Sequence, residues 1–112
     1  MEFIDKSLST DEISKLQKAY GNYVKLTIDI GNRWVMVGCE LHADGEKVLL
    51  EKGSKQDNIW GGGIDFDSKQ IDTTAVLNLR PRLNNDSLEI MNSEIREKFI
   101  QIVRDYCKEL WL

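Results

Sequence analysis

The segment Gly38-Cys39-Glu40-Leu41-His42-Ala43-Asp44 carries the chain's single histidine between two acids at alternating positions. On an extended backbone Glu40, His42 and Asp44 emerge on one side, because successive strand side chains point to opposite faces. Two carboxylates and an imidazole placed in this way could share a divalent metal such as Zn, Mn or Fe, with oxygen or thiolate completing the shell. Glu40 and His42 could instead serve proton transfer, the carboxylate raising the imidazole pKa and orienting the ring. The plainer readings are a hydrogen-bonded structural histidine and Asp44 as a helix cap. No cofactor is called for, and a divalent metal is the one ion these residues could take.

A second polar pair follows at Asn78 and Arg80, which alternate onto one side of an apolar run ending at Pro81. Arg80 offers a planar fork for a carboxylate or phosphate, and Asn78 both donates and accepts beside it. The alternative is an internal ion pair that holds the loop before the proline. Glu40 could likewise simply pair with Lys25 or Arg80. Gly61-Gly62-Gly63 is not a phosphate loop: the Gly-x-x-x-x-Gly-Lys-Ser/Thr pattern is absent, and no helix start follows. A bulge, or close approach of another segment, accounts for these glycines.

The elements that must position these residues are legible from caps and periods. Ser9 and Glu12 form a capping box, with Leu8 and Ile13 as its hydrophobic staple. Ile13, Leu16 and Tyr20 then line one face of a helix stopped by Gly21. From Tyr23 the period changes to two, and Gly31-Asn32 suits a two-residue type II′ hairpin turn. That register pairs Asp29 with Trp34, Ile28 with Val35, Thr27 with Met36, Leu26 with Val37, Lys25 with Gly38, Val24 with Cys39 and Tyr23 with Glu40. A short helix is expected after Asp44, ending at Gly53, with a strand on Val48 to Leu50 as the runner-up. Trp60 to Phe66 and Ala75 to Arg80 read as two more strands. A closing amphipathic helix starts near Asn92 or Ser93, with Ile95, Phe99, Ile102, Val103, Tyr106 and Leu110 on its stripe. The sum is one α+β domain over residues 1–112: a mainly antiparallel sheet of about four strands with an N-terminal, a short middle and a C-terminal helix.

The 112 residues carry a net charge of −4, and the basic residues are scattered among acids. That balance argues against a nucleic-acid binder, which needs clustered Lys and Arg. No apolar run approaches the roughly 20 residues of a membrane helix, and the start lacks a signal-peptide pattern, so the cytoplasm is the expected location. Cys39 and Cys107 belong to no pair motif and read as reduced, buried thiols. Leu110, Trp111 and Leu112 form a terminal apolar patch that could seat a homodimer or dock back on the body.

Glu40-Leu41-His42-Ala43-Asp44, Leu49-Leu50-Glu51, Gly53-Ser54, Gln56, Trp60-Gly61 and Asn78-Leu79-Arg80-Pro81, with the closing helix, resemble a family of small, uncharacterised prokaryotic single-domain proteins. The likeness runs from about Tyr23 onward, with departures at Gly62-Gly63 and after Phe66. It implies no activity. It marks Glu40, His42, Asp44, Ser54, Gln56, Trp60, Asn78 and Arg80 as the positions of interest. With Lys25 they form the expected polar face of a binding or regulatory domain, taking a small anionic ligand or a protein partner. The competing expectation is a small hydrolytic enzyme using Glu40 and His42, with or without a metal.

Overall fold

Residues 1–112 are described by a computed structural model. Helix α1, Thr10–Tyr20, begins at the capping box. Ser9 Oγ accepts from the Glu12 N–H at 3.1 Å, and Glu12 Oε1 accepts from the Ser9 N–H at 3.0 Å. Leu8, Ile13 and Leu16 are buried, and Gly21 closes the helix at a φ of 87°. A short strand absent from the sequence reading, β1 (Glu2–Ile4), precedes this helix. At three residues it is too short to display a period.

Strands β2 (Tyr23–Asp29) and β3 (Trp34–Val37) pair with the expected register from Asp29–Trp34 to Leu26–Val37. The turn differs. Residues 30–33 form a longer loop in which Arg33, at φ 60°, takes the left-handed conformation and Gly31 does not. The cause is Asp29, fully buried, whose Oδ1 accepts from the N–H groups of Gly31 and Asn32 at 2.9 and 3.0 Å. Its Oδ2 accepts from Asn32 Nδ2 and from Ser54 Oγ, at 2.9 and 2.6 Å. Such an Asx arrangement competes with a plain hairpin turn.

Burial opposes ionisation of Asp29, but the donors from Ser54, Asn32 and Gly31 outweigh it and hold the pKa below the ordinary 3.8. A carboxyl with a lowered native pKa contributes its full stability above its unfolded value and loses it as pH falls through the native one. In urea unfolding at a series of pH values, the deficit of Asp29→Asn relative to the parent should therefore be largest near neutrality. It should shrink below about pH 4, the unfolded range; a deficit that stays constant with pH would contradict this account.

Strands β4 (Ile59–Asp65) and β5 (Gln70–Asp72) complete an antiparallel five-stranded sheet of order β1-β3-β2-β4-β5. β5, like β1, has three residues and was not anticipated. Its turn is set by Asp65 Oδ1, which accepts from the N–H groups of Asp67 and Ser68, and by Lys69 at φ 64°. Helix α2, His42–Glu51, is the expected middle helix begun three residues early, with Gly53 at φ 104° after its end. Helix α3, Ser93–Tyr106, starts at Asn92, whose Oδ1 accepts from the Ile95 N–H.

The run Ala75–Arg80 is not a strand. It holds a 3-10 turn at Val76–Asn78, and a second follows at Pro81–Leu83, with single bridges Thr74–Glu89 and Arg80–Asn85. The Asn78 and Arg80 side chains bind backbone carbonyls here in place of a ladder.

The sheet is covered on both faces. Val24, Leu26, Ile28, Val35, Val37 and Ile64 pack with Ile13 and Leu16 of α1 and Phe99, Ile102 and Val103 of α3. Met36, Cys39 and Ile59 pack with Leu49 of α2 in a smaller cluster. Both cysteines are free and buried. Leu110 and Trp111, in a closing 3-10 turn at Lys108–Trp111, fold back against the larger cluster, with the Arg104 guanidinium 5.1 Å from the Trp111 ring. No helix is long and apolar enough to cross a membrane.

Candidate functional site

The antiparallel ladder of β3 ends at Val37, because Gly38 turns away at φ 81° under the Tyr20 ring. The Gly38 N–H still donates to the Lys25 carbonyl at 3.0 Å, but Cys39 and Glu40 have left the sheet. Glu40, His42 and Asp44 therefore do not alternate along a strand. His42 opens α2, and Asp44 is its third residue instead of its cap. The Asp44 carboxylate accepts from the Leu41 N–H at 3.3 Å and so closes the first turn. Glu40 and Asp44 line an open hollow of about 480 Å³ with Cys39, Lys47 and Glu51, which His42 does not share. No group of three His, Cys, Asp or Glu side chains converges on a point suited to a metal ion.

His42 is instead laid onto bare sheet. Gly45 lets α2 sit close, since a Cβ there would lie 2.8 Å from Thr27 Oγ1. Thr27 Oγ1 in turn donates to the His42 carbonyl at 3.0 Å. A Cβ at Gly61 would lie 3.0 Å from His42 Cδ2 and 2.7 Å from Ala75 Cβ, so the imidazole occupies space only glycine leaves free. Gly63 is similarly covered by the Tyr23 ring, whose hydroxyl donates to Asp72 Oδ2 at 2.6 Å. Burial and Asp72 push the Tyr23 phenol pKa well up, so it stays a donor.

His42 Nε2 lies 2.7 Å from the Gly62 carbonyl oxygen. A carbonyl only accepts, so Nε2 carries the proton and Nδ1 holds the lone pair of the neutral ring. Nδ1 has no partner in the protein and is not among the occluded polar atoms. Burial lowers the His42 pKa from its ordinary 6.5, Lys25 adds to the shift, and the Gly62 carbonyl and Asp72 oppose it. The neutral acceptor is thus the working form at neutral pH. His42 shares a cleft of about 390 Å³ with Lys25, Leu41, Ala43, Val76 and Leu77. Lys25 Nζ donates to the Glu40 carbonyl at 2.6 Å and keeps two further donors.

The other expected site residues lie elsewhere, and apart from Gln56, whose side chain is exposed, they are engaged internally. Ser54 Oγ donates to Asp29, and the main-chain carbonyl of Gln56 accepts from Arg80 Nη1 at 3.0 Å. Trp60 is buried, its Nε1 donating to the Asp57 carbonyl at 3.2 Å, with the Arg80 guanidinium 4.9 Å from its ring. Arg80 also donates to the Leu77 and Ile59 carbonyls, and its Nη2 lies 3.6 Å from Glu46 Oε2. Asn78 is fully buried and joins Gly61, Thr73 and Leu88. Lys25 and His42 are thus the pair brought to one cleft, and Asn78 and Arg80 form a separate knot beneath the 73–91 segment. Sequence reasoning missed Glu46, Tyr23–Asp72 and the walls Leu41, Val76 and Leu77. The spacing of Gly61 and Gly63, on one face of a strand, was the available signal that rings lie on the sheet there.

Fold and site together define a small α+β domain with an apolar-walled cleft around a carbonyl-anchored histidine. The chain belongs to the family described as "Protein of unknown function (DUF5674)", whose model matches residues 2–106. No curated protein and no solved structure matches it.

Proposed function

We propose that this is a small binding domain of the prokaryotic cytoplasm whose ligand site is the Lys25–His42 cleft, taking a small, partly apolar anion. The single observation that carries this is that Lys25 and His42, whose Nδ1 has no partner in the protein, line one cleft with apolar walls. Leu41 and Val76 are 61% and 75% exposed, which supports a ligand that covers them. Arg80 takes no part, since its donors are consumed inside the fold. An association of two copies through the last helix and Trp111 would engage Leu112, the most exposed apolar residue of that end, with the exposed parts of the half-buried Leu110 and Trp111.

Titration of labelled protein with 4-methylpentanoate, read by NMR, tests the proposal. Amide signals of Leu41, Ala43, Val76 and Leu77 should shift together and saturate, and the response should vanish in Lys25→Met. Affinity for the anion should not depend on phosphate at matched ionic strength. Absence of a localised, saturable response sinks the reading.

A hydrolytic role for His42 as general base is the second reading, favoured by the fixed tautomer that leaves Nδ1 free. The cleft contains no hydroxyl or thiol nucleophile, so water would have to attack. Turnover of a short-chain ester that is lost in a folded His42→Ala variant would move the assignment to an enzyme.

A further inference from the structure

Resting on the cleft reading above, we infer that the ligand is a small 2-hydroxy or 2-acylamino carboxylic acid with an apolar side chain. The inference comes from what each lining group can still do. The Gly62 carbonyl fixes the proton on His42 Nε2, which leaves Nδ1, an acceptor with no partner on a residue that lines the cleft, to take a donor from the ligand. Lys25 has given one hydrogen to Glu40 and has two left for a carboxylate. A ligand that satisfies both carries an O–H or N–H donor next to its anionic group. Leu41, Val76 and Leu77 then face an aliphatic side chain.

The charge balance narrows the donor further. No carboxylate lines the cleft. Asp72, the acid felt by His42, has its Oδ2 engaged by the Tyr23 hydroxyl. The ammonium of a free amino acid would therefore meet no protein carboxylate and would feel the Lys25 charge, whereas a hydroxyl or an acylated amine supplies a neutral donor. A phosphate monoester is matched less well, because its two charges would meet a single ammonium.

Calorimetric or NMR titration of the full chain with 2-hydroxy-4-methylpentanoate, 4-methylpentanoate and leucine tests this. The hydroxy acid should bind roughly three- to tenfold more tightly than the unsubstituted acid, the range for one neutral hydrogen bond. Leucine should bind more weakly than the hydroxy acid. The His42 Nδ1 resonance in the intact protein should move with the hydroxy acid and stay still with 4-methylpentanoate, a readout that needs no variant. In a folded His42→Ala protein the two acids should bind alike. If both acids already bind equally to the parent and both are lost in Lys25→Met, the inferred ligand class is overturned while the cleft remains a site. Leucine binding as tightly as the hydroxy acid also overturns the class. Failure of all three to bind overturns the class and the cleft reading together.

Discussion

Arg80→Met should destabilise the protein by about 3–5 kcal/mol, the range for removing one partner of a buried ion pair. The methionine keeps an unbranched stem beside Trp60 and deletes only the charged fork. Arg80, 8% exposed, donates to the carbonyls of Gln56, Ile59 and Leu77, and faces Glu46 Oε2, which has no hydrogen bond of its own. Without the guanidinium, three carbonyls and the half-buried Glu46 carboxylate, whose Oε2 is occluded, lose their positive partner. The entry to β4 and the 3-10 turn before Pro81 also lose their common tie. Urea unfolding of Arg80→Met, Glu46→Leu and the double variant measures the coupling. The double variant should recover part of the loss, since no carboxylate is then stranded; equal additive losses, or an Arg80→Met effect below about 1 kcal/mol, would show that Arg80 is not a clamp.

Asn78→Ala should cost about 4 kcal/mol, close to 1 for each of four hydrogen bonds. The Asn78 amide accepts from the Gly61 N–H at 2.8 Å and donates to the Gly61 carbonyl at 2.9 Å. It also donates to the Thr73 and Leu88 carbonyls at 3.1 and 3.0 Å. β5 stops at the Gly63–Asp72 pair, so Gly61 lacks a strand on that side. The side-chain amide supplies the donor and acceptor that a neighbouring strand would have offered. Against a typical total stability of about 5–15 kcal/mol, its loss should release the 73–91 segment before the rest unfolds. Native-state hydrogen exchange reads this directly: the Gly61 amide should become fast in Asn78→Ala while amides of β2 stay protected. Uniform acceleration across the sheet would instead mean a purely global loss.

The misreading of Ala75–Arg80 has the same physical origin. Alternation of apolar and polar residues is the pattern of a half-buried strand. Here Ala75 is buried and Leu79 exposed, while the polar Asn78 and Arg80 point inward because their hydrogen-bonding capacity is filled by backbone groups far away in sequence. No local pattern distinguishes a buried asparagine that completes a sheet from one that faces a ligand. Asn85 is a second instance, its Nδ2 donating to the Asn78, Ser87 and Glu89 carbonyls.

What the sequence determined by itself is what short-range chemistry controls. Ser9 and Glu12 specified the start of α1, Asn92 the start of α3, and the period of two from Tyr23 the faces of β2; the pairing of Asp29 with Trp34 came out as read, although the two-residue turn it was read from is replaced by the Asp29-bound loop. These outcomes follow from caps and from the alternation of side chains, which act over a few residues. The resemblance to a family of unknown function was also legible in the sequence, and the family model matches residues 2–106. Tertiary structure alone decided which polar groups remain free. It turned the chain at Gly38, so His42 left its acidic neighbours and met Lys25, and it spent Arg80, Asn78 and Ser54 on carbonyls and carboxylates distant in sequence. The reason is that a buried polar side chain must be satisfied by whatever the fold brings to it, and those partners are set by packing across the sheet and not by spacing along the chain.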